Sequence, residues 1–118
     1  MKYMLLIYGD ENYLSQTERE ACFGESAALA RDMHANGSYL GASPLQSTTT
    51  ASSVRVREGK RMVTDGPFAE THEQLGGYYL IDVETQDQAL EYAARVPAAK
   101  WGTVEVRPIV EIGDLPEH

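Results

Sequence analysis

The stretch Asp65-Gly66-Pro67-Phe68-Ala69-Glu70-Thr71-His72-Glu73 sets three carboxylates and an imidazole within nine residues. A carboxylate placed by such a turn at a strand end, beside a cleft, suits Asp65 to general-base work or to holding a polar substrate group. His72 adds an imidazole, the usual proton carrier near neutral pH. The same residues also have a purely structural use. Asp, Gly and Pro are what a chain uses to leave a hairpin and turn sharply, and Glu70, His72 and Glu73 read equally as a solvated loop. Further on, Glu105 and Arg107 stand two apart in a strand pattern and so share one face, opposite Val104 and Val106. A planar guanidinium at Arg107 can grip a substrate carboxylate while Asp65 or Glu105 moves a proton. The structural counterpart is an ion pair, within the two or with Arg55 or Arg57. Asp65, His72, Glu105 and Arg107 are thus the candidate catalytic set, and cofactor-free proton transfer or a lyase-type step is the chemistry they fit.

Other chemistries find no support in the spacing. There is no His-x-His, His-Glu-x-x-His or cysteine pair, so neither a metal nor another cofactor is expected. Gly76-Gly77 lacks the spacing and the following helix of a phosphate loop, and it leads into a strand, where a bulge or a close backbone approach accounts for it. Cys22 falls on an apolar helical stripe and reads as a small buried hydrophobe.

These side chains need a scaffold. Met1 to Tyr8 carries apolar residues on both parities and reads as a central strand, too short to export or span a membrane. Ser15-Gln16-Thr17-Glu18 is a capping box that opens a helix. Cys22, Ser26, Leu29 and Met33 form its inner stripe, and Asn36-Gly37 stops it. Tyr39 to Ala42 is a short strand. Residues 53–64 alternate around Glu58-Gly59 as a hairpin. Gly76 to Val83 is a strand, Thr85-Gln86-Asp87-Gln88 caps a second helix that Pro97 ends, and residues 103–112 form the last strand. Residues 113–118 read as a polar terminus. The order is βαββαβ of the ferredoxin-like α+β type with an inserted hairpin, both helices on one sheet face. Large apolar groups on the other parity then need a cover, which a second copy would supply as a homodimeric α+β barrel. Tyr8, Phe68, Tyr78 and Tyr79 are expected to line its ligand cleft, together with Trp101.

Size and charge fit this scheme. The 118 residues make one domain, 1–118, with enough chain for its own core. A lone cysteine and no export signal suit a cytoplasmic location. Ten basic against eighteen acidic residues, a net charge of −8, argue against nucleic-acid and membrane partners.

The run from Asp65 to Thr71, continued by Glu73-Gln74-Leu75-Gly76-Gly77-Tyr78-Tyr79-Leu80-Ile81-Asp82-Val83, closely resembles the signature of the DGPF-domain family of the YCII-related superfamily. Tyr3 to Tyr8, Val54 to Arg57 and Val104 to Pro108 match its flanks in order. The resemblance implies a dimeric α+β barrel and no particular reaction; a small polar or aromatic molecule bound in the inter-sheet cleft is the expectation that the candidate residues add. The resemblance also implies a rival role, as a non-catalytic interaction module, because genes of the family often lie beside those for extracytoplasmic-function sigma factors. Some branches of the superfamily carry an Asp and His pair in the barrel cleft. His72 stands where the DGPF pattern usually has Lys, and neither His34 nor His72 aligns with that histidine.

Overall fold

A computed structural model describes residues 1–69 and 71–116. Lys2–Gly9 (β1) takes a central place, as its two-sided apolar pattern requires. Gln16–Ala35 (α1) crosses to Tyr39–Pro44 (β2). Ser52–Arg57 (β3) and Lys60–Asp65 (β4) pair as a separate hairpin. Gln74–Asp82 (β5), Gln86–Arg95 (α2) and Thr103–Pro108 (β6) complete the chain. The antiparallel sheet runs β2-β5-β1-β6. With the hairpin set aside, that order is consistent with a ferredoxin-like α+β fold.

Both helices start where the caps place them. The Ser15 hydroxyl accepts from the Glu18 amide at 3.2 Å, and the Glu18 carboxylate accepts from the Ser15 amide at 3.0 Å. That bond from the Ser15 amide holds the Glu18 carboxyl below its usual range. The second box is only half made. Thr85 accepts from the Gln88 amide, but the Gln88 side chain turns to the amide of Glu84 instead of the cap's own.

The core lies between the helices and one sheet face. Tyr3, Leu5, Tyr79 and Ile81 point into it and meet Leu29 and Met33 of α1 and Ala89 and Ala93 of α2. Among the described residues no helix lies on the other sheet face. Strand register arranges that face in rows: Ser43, Tyr78, Leu6 and Glu105 in one, Leu80, Met4 and Arg107 in the next, and Leu75, Tyr8 and Thr103 beside them. Its centre is apolar and its β6 edge charged.

Three strand ends depart from expectation, the first being β2, which runs past Ala42 to Pro44 because Ser43 and Pro44 still pair with Tyr78 and Gly77. β5 begins at Gln74, before the glycines, because the ladder slips between Ile7 opposite Gly77 and Tyr8 opposite Leu75, leaving Gly76 as the extra residue of a bulge. Gly77 is needed for a different reason. A Cβ there would lie 2.9 Å from the Ser43 carbonyl oxygen. β6 ends at Pro108, opposite Tyr3, so Val110 and Ile112 leave the sheet and stand exposed. One further bond, from the Ile109 amide to the Lys2 carbonyl at 2.9 Å, closes this corner.

Candidate functional site

The candidate catalytic residues fall in three places. Asp65 ends β4, exposed and paired with Ser52 in the hairpin. Its neighbour Gly66 has φ 103°, a backbone that favours glycine, and its amide donates to the Ala51 carbonyl at 2.7 Å. The Asp-Gly-Pro turn therefore forms the neck of the hairpin. His72 is exposed in the loop before β5, and Glu70 lies outside the described residues. Glu105 and Arg107 do share a face, the uncovered one, in adjacent rows beside Leu6 and Met4. Among the described residues neither takes part in an ion pair, and no cluster of ligands suited to a metal ion occurs.

The expected aromatic lining divides in the same way. Tyr8 and Tyr78 stand on the open face. Phe68 is 74% exposed and lies under the Arg55 guanidinium, 4.7 Å from ring centre to Cζ. Tyr79 faces α1, where its hydroxyl donates to the Ser26 carbonyl at 2.8 Å, and burial pushes its phenol above the usual range.

A cleft that the sequence reading did not foresee opens on the helix side. It has a volume of about 600 Å³ and lies between residues 19–30 of α1, the β2 edge and the start of β5. Cys22, Phe23, Ser26 and Ala27 form its helical wall, and Gly76, Gly77, Tyr78 and Tyr79 contribute from β5. Trp101 lines one end, its ring stacked on Tyr13 at 5.6 Å between centroids and 12° between planes. The Trp101 Nε1 is buried, and among the described residues it has no hydrogen-bond partner. Cys22 is near enough to feel that N–H, although the pair lacks hydrogen-bond geometry. Burial first, then the Glu25 carboxylate, push the Cys22 thiol up, so it rests as a neutral thiol at pH 7.

The mouth is built by Glu11. Its carboxylate accepts from the Thr48 amide at 2.6 Å, the Ser47 hydroxyl at 3.0 Å and the Thr48 hydroxyl at 3.1 Å. The Glu11 amide donates to Gln74 at 3.1 Å, and Arg19 donates to the Glu11 carbonyl at 2.9 Å. Four segments are tied at one residue: the β1–α1 loop, α1, the loop after β2 and the start of β5. The Thr48 amide above all holds the Glu11 carboxyl below its usual range. The signal in the sequence was faint. Asp10-Glu11-Asn12 looks like a strand terminator and Ser47-Thr48 like loop filler, and their pairing spans 36 residues or more.

Comparison with known proteins agrees with the sequence at the level of the YCII-related family. A family model described as the YCII-related domain matches residues 1–113. An uncharacterized protein of Rhizobium meliloti (strain 1021) is 38% identical over 123 aligned residues, covering 98% of this chain and 99% of that protein.

Proposed function

Since the chain belongs to the YCII-related family, we propose that it is a member of the DGPF branch that works as a homodimeric barrel and binds a small planar, mainly apolar molecule in the cleft under α1. The observation that carries this reading is the cleft itself. A cavity of about 600 Å³ walled by Phe23, Tyr79 and Trp101 falls within the range of roughly 300–1,000 Å³ typical of small-molecule sites. Asp10 and Glu11 against the single cation Arg19 leave its lining with a net negative charge, in a chain of net charge −8, which disfavours an anionic ligand.

A thermal-shift screen of planar aromatic compounds tests it. Some should raise the melting temperature of the native protein and none that of Ala27→Phe, which narrows the cleft from the helix side. No stabilisation by any compound overturns the reading.

A second reading draws on the open face, where Glu105 and Arg107 share one surface with Tyr8 and Tyr78. There Arg107 holds a carboxylate and Glu105 moves a proton, and Asp65 and His72 join them only if a second chain brings them. Repeating the screen with Asp65→Ala and Arg107→Ala separates the two sites, because only open-face ligands lose their effect. Binding without conversion of any ligand selects the non-catalytic reading, an effector-binding module of the kind a sigma-factor partner would need.

A further inference from the structure

The β3–β4 hairpin is a ribbon exposed on both faces. Val54 and Val63 stand opposite each other, 61% and 53% exposed, and Met62 on the reverse face is 45% exposed. A two-stranded ribbon alone is marginally stable in water. The molecule is also more extended than a compact chain of its length. The radius of gyration is 16.0 Å, against about 13–14 Å for a compact chain of this length.

Its charge is opposite to that of the rest. Residues 52–65 hold four cations, Arg55, Arg57, Lys60 and Arg61, against Glu58 and Asp65, a balance of +2 in a chain of −8. The remainder therefore carries −10. Arg57 faces Lys60 directly across the ladder, an arrangement of like charges that destabilises a ribbon. Among the described residues none of the four cations forms a salt bridge.

We propose that the β3–β4 hairpin is an exchanged arm, which lays its apolar and cationic faces against the acidic body of a second copy of this chain. The inference rests on the homodimer reading and names the surface that reading lacks. A second copy supplies what the arm needs, since each body carries ten more acids than bases outside its own hairpin. The arm supplies what the sheet needs. Four strands about 4.8 Å apart and three rows about 7 Å apart give the open face a footprint of roughly 400 Å². A stable pair of this kind buries about 800 Å² on each partner. The Asp65 turn sits at the root of the arm, so the exchange also carries that carboxylate toward the partner.

The test compares the native chain with the Arg55→Glu, Arg57→Glu, Arg61→Glu variant by light scattering over a dilution series. Amide exchange of residues 52–65 is followed on the native chain at the highest and lowest concentrations. The expected result is a native dimer, a dissociation constant raised about tenfold or more in the variant, and ribbon amides protected only where the dimer is populated. If the native chain dimerises but reversal leaves the dissociation constant unchanged, or ribbon exchange is the same at both concentrations, the arm is overturned and the dimer stands. If the native chain is monomeric throughout, both fall. Should the variant not fold, the exchange measurement on the native chain decides.

Discussion

Glu11 shows how much one side chain can organise when its partners come from distant segments. Its carboxyl is held low in the folded protein, so the stabilisation it gives is present above the ordinary carboxylate pKa and is lost as pH falls through the depressed folded value. Glu11→Gln keeps the shape and removes the charge. It should cost about 1 kcal/mol at pH 7, in the range of a partly exposed, charge-assisted hydrogen-bond set. The gap between native and variant should narrow as pH falls below the ordinary glutamate pKa of about 4.3 and on through the lower folded value. Urea unfolding at several pH values reads both effects, and equal stability at pH 7 would remove Glu11 from this role. Cys22 gives a second prediction at the same scale. Burial holds it as a thiol, so iodoacetamide at pH 7.5 should modify it several-fold more slowly than an unfolded-peptide cysteine, as intact mass would show. A reaction as fast as the peptide's would mean that the cleft wall is open to water there.

At the level of elements, Gly76 and Gly77 look alike in the sequence and do different work. Gly77→Ala would bring a Cβ to 2.9 Å from the Ser43 carbonyl oxygen and 3.2 Å from Pro44 Cα, both backbone atoms that cannot turn aside. It should destabilise the fold by about 1–3 kcal/mol, the usual cost of overpacking. At Gly76 the nearest neighbour of an added Cβ is the Ile7 carbonyl oxygen at 3.9 Å, an ordinary contact, so Gly76→Ala should cost well under half as much. Equal losses in the two denaturation curves would refute the register. The need for a bulge or a close approach was legible in the glycine pair; which glycine serves which purpose was not, because that depends on the β2 and β1 partners. The same holds more widely. Caps, the buried stripe at Leu29 and Met33 and the shared face of Glu105 and Arg107 are local or periodic, and so are written in the order of residues. The cleft under α1 is not. It arises from the gap between a helix wall of small residues and an edge strand, and no spacing rule encodes that distance. β6 was read four residues too long because Val110 and Ile112 continue its alternation, whereas Pro108 lies where β1 has nearly run out of partners.

The whole chain places its helices on one side of the sheet and leaves Leu6, Met4, Tyr78 and Leu80 on the other without a cover. Apolar surface removed from water contributes about 25 cal/mol per Å², so a footprint of several hundred Å² is a strong drive toward association once the charged β6 edge is accommodated. A twofold arrangement would set the apolar rows face to face and leave Glu105 and Arg107 at the margin, where each can meet the other's counterpart. Light scattering at micromolar concentration should then give twice 13.0 kDa, about 26 kDa. Leu6→Glu sets a carboxylate at the centre of the face, opposite both Tyr78 and Glu105. Its side chain can reach water in a single chain, so the fold should survive with an unchanged helical circular dichroism signal. In the dimer the same carboxylate would be buried against its own copy, at a cost of several kcal/mol. The variant is therefore expected at 13.0 kDa under conditions where the native chain is paired. A native mass of 13.0 kDa, or a Leu6→Glu protein that still elutes as a dimer, would show that this face is not where two chains meet.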